Sequence, residues 1–158
     1  MNKTNVMRIL DKAKIPYTPY YYATEDGKID GVSVAQKMGQ DPATVFKTLV
    51  AISKTKELFV FIIPVARELD LKKAALASGQ KNMEMLPQSK LFPMTGYIHG
   101  GCSPVGRKKQ YATFLDQSAR DYPEISVSGG KVGAQVRLSP DALLQNSKAV
   151  CADLTREK

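Results

Sequence analysis

The feature that most constrains the fold of this chain is a pair of apolar runs separated by three polar residues. The runs are FKTLVAIS, residues 46–53, and ELFVFIIP, residues 57–64, with KTK between them. Both runs are rich in β-branched and aromatic side chains, which favour strands, and so short a connection joins antiparallel neighbours. We therefore predict two adjacent antiparallel strands at the centre of a sheet.

Helical and strand patterns alternate along the rest of the chain. Helices are predicted to begin at Thr4 or Asn5, at Ser33, within 68–79, at Pro87 and at Ser139. Short strands are predicted at 15–23, 96–101, 111–116, 124–129, 133–138 and 149–154. Within 68–79, Leu69, Leu71, Ala75 and Leu76 are expected to face the core. The sequence thus predicts an α+β fold in a single domain, residues 1–158, with helices around a mixed, mostly antiparallel sheet.

The composition fits a compact globular domain. Hydrophobic residues make up 43% and charged residues 24% of the 158 residues, close to the globular average. No segment reaches the apolar length needed to cross a bilayer, and the start of the chain lacks the uninterrupted apolar core of a signal peptide. We therefore expect a cytoplasmic protein that does not enter the membrane.

The chain carries an excess of positive charge. It has 23 Lys and Arg against 15 Asp and Glu, a formal net charge of +8. Such an excess attracts polyanions, so nucleic acid is the expected partner, although a merely solvated basic surface gives the same composition. Cys102, Cys151 and His99 match no metal-binding spacing, so no metal is predicted.

One lysine interrupts an otherwise apolar run. Lys47 stands in TVFKTLV, residues 44–50. An ammonium strongly prefers water, so its position needs a reason. Lys47 can extend into solvent from a strand, pair with a carboxylate, or project into a cleft that receives a negatively charged ligand. The run itself leaves these three alternatives open.

Two glycine-containing segments could bring main-chain amides to a ligand. They are HGGCSPVGRKKQ, residues 99–110, and SVSGGKVG, residues 126–133. Glycine lets the main chain approach an oxyanion or phosphate closely, although each glycine pair can also be an ordinary turn. Basic residues that could contact phosphates lie beside them: Arg107, Lys108, Lys109 and Lys131.

Familiar hydrolytic arrangements fit poorly. Cys102 and His99 are three residues apart, which in an extended segment places them on opposite faces, and no third orienting group is evident. Asp26, Asp30, Asp116 and Asp121 form no recognisable pair of catalytic carboxylates. The residues therefore give little support to a cysteine hydrolase or to two-carboxylate catalysis.

Four ordered motifs together carry a family resemblance. VFKTLV, PVARELDLKKAA, GGCSPVGRKKQ and VSGGKVG follow one another at intervals that resemble the free-standing bacterial aminoacyl-tRNA deacylases of the YbaK/EbsC type. These proteins are related to the editing domain of bacterial prolyl-tRNA synthetase. The resemblance implies the YbaK fold for nearly the whole chain. The chain looks most similar to the branch that hydrolyses Cys-tRNA(Pro).

The resemblance implies roles for individual residues. Lys47 matches the essential lysine of the family, and Gly101 belongs to the loop whose amides face the substrate carbonyl. The implied substrate-binding residues are Tyr22, Thr48, Gly100, Ser128, Gly129 and Gly130, together with Asp30 and Gln135. The last two depart from the cysteine-specific pattern, which has an aromatic residue near Asp30 and an aspartate near Gln135.

The resemblance also implies the chemistry and the partners. In the cysteine-specific branch the thiol of the substrate attacks its own ester, so no enzyme nucleophile, cofactor or metal is expected. The expected ligand is the acceptor end of aminoacyl-tRNA, and prolyl-tRNA synthetase is the expected source of tRNA selectivity. Two alternatives stay open: deacylation of another small mischarged amino acid, such as Ala-tRNA(Pro), and a binding module without turnover.

Overall fold

The computed structural model describes residues 3–96, 103–105 and 111–156. The helices within these ranges are α1 (Asn5–Lys12), α2 (Gly31–Met38), α3 (Leu71–Ser78), α4 (Gln88–Thr95) and α5 (Pro140–Ser147). The strands are β1 (Thr18–Tyr21), β2 (Phe46–Ser53), β3 (Leu58–Pro64), β4 (Met83–Met85), β5 (Ala112–Asp116), β6 (Ile125–Ser128), β7 (Ala134–Leu138) and β8 (Val150–Ala152).

The strands form two sheets. One has the order β1-β7-β6 and is antiparallel throughout. The other has the order β4-β2-β3-β5-β8, in which β2 pairs antiparallel with β3 and β4, while β5 pairs parallel with β3 and β8. The predicted α+β class, the mostly antiparallel pairing and the central pair of strands are confirmed. The short edge strand β4 was not predicted.

The main core lies between the two sheets and is closed by α1. Phe46, Ile62 and Leu115 contribute from the larger sheet, and Val127 and Val136 from the smaller one. Val6, Met7 and Leu10 of α1 pack against these strands. Burial of such side chains is the dominant favourable term in folding, and it fixes the two sheets relative to each other.

Helix ends follow the expected capping chemistry, with one correction. Thr4 and Ser139 cap α1 and α5 as predicted, and Gly39 and Gly79 end their helices in the left-handed conformation. The predicted Ser33 cap is wrong. Asp30 caps α2, because its carboxylate accepts the Ser33 N–H, so the helix begins two residues before Ser33.

The expectation that Leu76 faces the core is wrong. Its side chain is 83% exposed, whereas Ala74 and Ala75 of the same helix are buried. Successive residues of a helix are about 100° apart, so the face that buries the alanines turns Leu76 outward. Leu69 is buried as expected, but it precedes the helix. The predicted strand at 96–101 lies almost wholly outside the described residues.

Among the described residues, one isolated backbone bridge joins the two sheets. Val45, just before β2, forms a parallel bridge with Ser126 of β6, and beyond this bridge β2 and β6 belong to different sheets. We call this meeting point the fork. Arg137 of β7 braces it by donating to the Gln40 side-chain oxygen at 2.9 Å and to Ser126 Oγ at 3.0 Å.

No helix in the part of the chain that the structure describes is long and apolar enough to cross a membrane.

Candidate functional site

A cavity of about 320 Å³ opens where the two sheets diverge beyond the fork. Its polar lining residues are Tyr22, Asp30, Lys47, Thr48, Ser128 and Gln135. The other lining residues are Ile29, Gly31, Val32, Val34, Val45, Phe46, Leu49 and Val65. The volume lies at the lower end of the range for small-molecule sites, which suits a ligand the size of an aminoacyl ester.

The fork explains why residues distant in sequence meet in this cavity. Lys47 lies two residues beyond Val45 on β2, and Ser128 lies two residues beyond Ser126 on β6. Gln135 enters because β7 pairs with β6 in a register that sets it opposite Ser128. Two adjacent strand ends and one paired neighbour thus assemble the polar side of the cavity.

Tyr22 resolves an ambiguity of the sequence, in which three tyrosines occur in succession. Tyr22 lines the cavity, and its N–H donates to the Gly133 carbonyl at 3.0 Å. Tyr21 packs against the main core, where its hydroxyl lies 3.4 Å from Met7 Sδ. The alternation of side chains along an extended segment accounts for the difference.

Lys47 is half-buried at the wall of the cavity. Burial lowers the pKa of its ammonium, and the carboxylate of Glu68 opposes this shift only in part. Glu68 itself pairs with Arg156 at 3.1 Å. Among the described residues no hydrogen bond or ion pair to Lys47 is recorded. Of the three alternatives raised by the sequence, this position corresponds to a cation projecting into a cleft.

Two residues that line the cavity carry a buried side-chain oxygen without a hydrogen bond among the described residues. Thr48 Oγ1 and Gln135 Oε1 are two of the four buried side-chain polar atoms that find no hydrogen bond within the described part of the chain. Gln135 is only 7% exposed. An unpaired buried acceptor is costly, so such groups need an explanation. A ligand with hydrogen-bond donors would satisfy both.

Asp30 lies at the rim and is already engaged. Its carboxylate accepts the Ser33 N–H at 3.1 Å and the Ser33 hydroxyl at 2.7 Å. These hydrogen bonds, the hydroxyl first, hold its pKa below the usual range for aspartate. Asp30 therefore fixes the start of α2 at the cavity wall, and its oxygens are only partly available to a ligand.

Aliphatic residues form another part of the cavity wall, which was not predicted. Val45 and Val65 are buried together with Ala35, and Val32 of α2 packs on this group. Gly31 begins α2 directly against Val65: a Cβ built at Gly31 would lie 2.3 Å from Val65 Cγ1. The only sequence signal was that Val65 falls within the PVARELDLKKAA motif, where its orientation could not be read.

The remaining predicted site residues lie elsewhere or outside the described ranges. Gly129 and Gly130 do not line the cavity; they turn β6 into β7, as predicted for a Gly-Gly pair. Lys131 is exposed on that turn. The positions not covered are His99, Gly100, Gly101, Cys102, Arg107, Lys108 and Lys109.

A larger cleft of about 770 Å³ lies at the carboxyl ends of the parallel strands β3, β5 and β8. Its two cations are already committed: Arg67 donates to Thr155 Oγ1, and Lys73 pairs with Asp153 at 3.1 Å. Four aspartates line it, namely Asp41, Asp116, Asp121 and Asp153. Those carboxylates would repel a polyanion, so the smaller cavity is the better candidate for a nucleic-acid end.

A family model agrees with this choice. Residues 30–145 match the model described as an aminoacyl-tRNA editing domain. The chain belongs to this family. The matched region contains most of the cavity lining, including Lys47, Ser128 and Gln135.

Individual relatives of this editing domain extend the comparison. A protein of Enterococcus faecalis named "Putative Cys-tRNA(Pro)/Cys-tRNA(Cys) deacylase EbsC" is 43% identical over 156 residues, which is 99% of this chain and 95% of that protein. A solved structure described as "a putative trans-editing enzyme for prolyl tRNA synthetase" matches with a TM-score of 0.81 at 23% identity, covering 99% of this chain and 100% of the other. A second structure, of a hypothetical protein, matches with a TM-score of 0.87 at 18% identity, covering 97% and 100%. The two structures support the fold.

Proposed function

We propose that this editing domain deacylates mischarged Cys-tRNA(Pro), acting on the tRNA after its release from the synthetase. The observation that carries the proposal is Lys47, a half-buried cation that makes no hydrogen bond or ion pair with the described residues, in a cavity sized for an aminoacyl ester. The name of the Enterococcus faecalis relative supports the same substrate.

The chemistry follows from the substrate and one fixed cation. The sulfur of the cysteinyl group attacks its own ester carbonyl, and negative charge develops on the carbonyl oxygen. The ammonium of Lys47 would stabilise that charge in a partly desolvated site, where the interaction is stronger than in water. The bond from the carbonyl carbon to the terminal ribose oxygen then breaks. That oxygen gains the proton lost by the thiol, and a cyclic thiolactone leaves.

The neighbouring residues would position the ester. Thr48 Oγ1 and Gln135 Oε1 can accept hydrogen bonds from the ribose hydroxyls or the α-ammonium group, since no partner for either is recorded among the described residues. Tyr22 and Ser128 complete the polar side of the cavity. Gly100 and Gly101 stay proposed as donors to the carbonyl oxygen, and Asp30 as a rim residue.

The rest of the tRNA would meet a basic surface. The net charge of +8 favours binding to phosphates, and we assign Arg107, Lys108, Lys109 and Lys131 to that role. Recognition of the acceptor end alone leaves tRNA identity to a partner. Prolyl-tRNA synthetase is the proposed partner, in keeping with the description of the structural relative. Such a reaction belongs in the cytoplasm.

A second substrate is favoured by one specific observation. Gln135 is neutral, and Asp30 is small and already hydrogen-bonded, so the cavity differs from the cysteine-specific pattern at two points. Deacylation of Ala-tRNA(Pro) would need water as the nucleophile in place of the thiol.

The experiment that separates these candidates is single-turnover hydrolysis of Cys-, Ala- and Ser-tRNA(Pro) by the wild-type protein. We expect Cys-tRNA(Pro) to react fastest. Equal or faster loss of alanine would favour the second substrate, and binding without any hydrolysis would favour a binding module.

A further inference from the structure

The aliphatic wall of the cavity depends on one unusually close contact. Gly31 is the first residue of α2, and a Cβ placed there would lie 2.3 Å from Val65 Cγ1 and 2.5 Å from Val65 Cβ. Carbon atoms do not approach so closely, so any side chain at position 31 must displace Val65 or the helix. The glycine is therefore required for space. It lets the main chain of α2 rest directly on the Val65 side chain.

Val65 cannot easily move away from this contact. Its N–H donates to the Val45 carbonyl at 2.8 Å, and its side chain is only 8% exposed. It packs with Ala35 and Val45, and its β-branched side chain has little rotamer freedom. On the other side, the Asp30 cap holds the first turn of α2. The wall is thus rigid from both sides.

This wall lies close to Lys47 and on the same side of the chain. Val45 and Lys47 are two residues apart in an extended segment, which puts their side chains on the same side and about 7 Å apart. Val65 is hydrogen-bonded beside Val45. If the ester carbonyl lies at Lys47, the amino-acid side chain, only a few bonds away, extends toward the Gly31–Val65 contact.

We propose that the Gly31–Val65 contact is the size limit of the amino-acid pocket. This inference rests on the proposed function, because it assumes that the cavity receives an aminoacyl end. Gly31 and Val65 are positioning residues: they exclude side chains longer than cysteine by bringing α2 onto the residue that follows β3, and they take no part in the reaction. An aliphatic surface is compatible with alanyl and cysteinyl groups, and the fixed position of Val65 against α2 would exclude a leucyl group by its size.

The test separates binding from chemistry by using unreactive ligands. The probes are CCA trinucleotides whose terminal ribose carries an alanyl, cysteinyl or leucyl group through an amide bond, which is not cleaved. Dissociation constants are measured by calorimetry for the wild type, Val65→Ala, Gly31→Ala and the double variant. Val60→Ala is the matched control. It also removes two methyl groups, but from a buried residue of β3 that does not line the cavity.

Specific results are expected. Val65→Ala should lower the ratio of leucyl to alanyl dissociation constants by about tenfold, the usual effect of one or two methylene groups in an apolar pocket. Val60→Ala should leave that ratio unchanged. Gly31→Ala should weaken binding of all three probes. Val65→Ala in the same chain should recover part of the loss, because the contact with Val65 Cγ1 at 2.3 Å is removed while the contact with its Cβ at 2.5 Å stays.

Several results would overturn the inference: an unchanged ratio in Val65→Ala, an equal change in Val60→Ala, or additive effects of the two substitutions in the double variant. If Val65→Ala fails to fold, Val65→Ile tests the opposite direction and should selectively weaken the cysteinyl probe relative to the alanyl probe. Absence of binding by every probe would overturn the inference even if the protein hydrolyses Cys-tRNA(Pro). Size-dependent binding without hydrolysis would uphold it and contradict the proposed catalysis.

Discussion

At the scale of single residues, the cavity holds groups that folding alone does not favour. Lys47, Thr48 and Gln135 all line it. Lys47 carries a half-buried ammonium, and the other two carry buried oxygen atoms without a hydrogen bond among the described residues. Each would cost less free energy if replaced by an apolar side chain. Their concentration in one cavity is typical of a binding site, where a ligand provides the missing interactions.

Burying the Lys47 ammonium should therefore lower the free energy of unfolding, and substituting Lys47 should show this cost. Burial lowers the pKa of Lys47, so in a range of pH below the ordinary lysine pKa the unfolded chain holds a proton that the folded protein has lost. Raising the pH through that range favours the folded state. We expect wild-type stability, relative to Lys47→Met, to rise as the pH increases from neutral toward the ordinary lysine pKa. Urea denaturation at a series of pH values measures this difference.

The exposed Lys72 of α3 provides the control for this measurement. The Lys72→Met variant, measured over the same pH range, gives the effect of removing an exposed lysine. A stability difference for Lys47→Met that follows the same course with pH would show that Lys47 is not held in a desolvated position.

Lys47 could be predicted from the sequence as a site residue, whereas its aliphatic surroundings could not. A lysine within an apolar run conflicts with the local pattern, and such conflicts are expected at functional sites. Gly31 and Val65 conflict with no local pattern, since a glycine at the start of a helix and a valine after a strand are ordinary. Their contact joins residues 34 positions apart and depends on how α2 packs, which no local pattern encodes.

At the scale of secondary-structure elements, the turn between β6 and β7 packs against α1 at Gly130. Gly130 has φ +91°, and a Cβ there would lie 2.6 Å from Val6 Cγ2 of α1. Gly27 also has a positive φ, +73°, but no atom lies within 4 Å of its Cβ position. Both glycines thus adopt a backbone conformation that other residues rarely adopt, and only at Gly130 would a side chain also collide with a neighbouring residue.

Comparing alanine substitutions at these glycines separates the two effects. We expect Gly27→Ala to cost about 1–2 kcal/mol through backbone strain. Gly130→Ala should cost about 1–3 kcal/mol more, because the methyl group collides with the buried Val6. The free energies of unfolding are measured in urea. Equal losses of unfolding free energy at both positions would mean that α1 moves away from the added methyl group without a loss of stability.

The elements that could be predicted are those with local signals. The β2–β3 pair followed from two apolar runs and a short turn, and the caps at Thr4 and Ser139 from their side chains. The division into two sheets could not be predicted, because the Val45–Ser126 bridge joins residues 81 positions apart. Leu76 was misassigned because the apolar pattern at 68–79 includes residues that precede the helix.

At the scale of the whole molecule, the net charge of +8 should govern binding to tRNA. The logarithm of the association constant should fall linearly with the logarithm of salt concentration. Lys131→Ala should reduce the magnitude of that slope by about 0.7–0.9, the loss of one phosphate contact. The measurement is fluorescence anisotropy of labelled tRNA at several salt concentrations.

The Lys72→Ala variant is the control for the salt dependence, because Lys72 lies on α3, outside the proposed tRNA contacts. It should leave the slope unchanged. If Lys131→Ala also leaves the slope unchanged, Lys131 makes no phosphate contact and the tRNA approaches the cavity from another side.

The central claim joins these scales: one cation, placed by the fork between two sheets, makes the cavity a deacylation site. It is tested most directly by single-turnover release of labelled cysteine from Cys-tRNA(Pro) by the wild type and by Lys47→Ala, with circular dichroism to confirm that the variant is folded. The account predicts that the wild type releases cysteine and that the folded variant is slower by about 10²–10³-fold, the usual effect of removing one preorganised stabilising group. A folded Lys47→Ala protein that deacylates at the wild-type rate would contradict it.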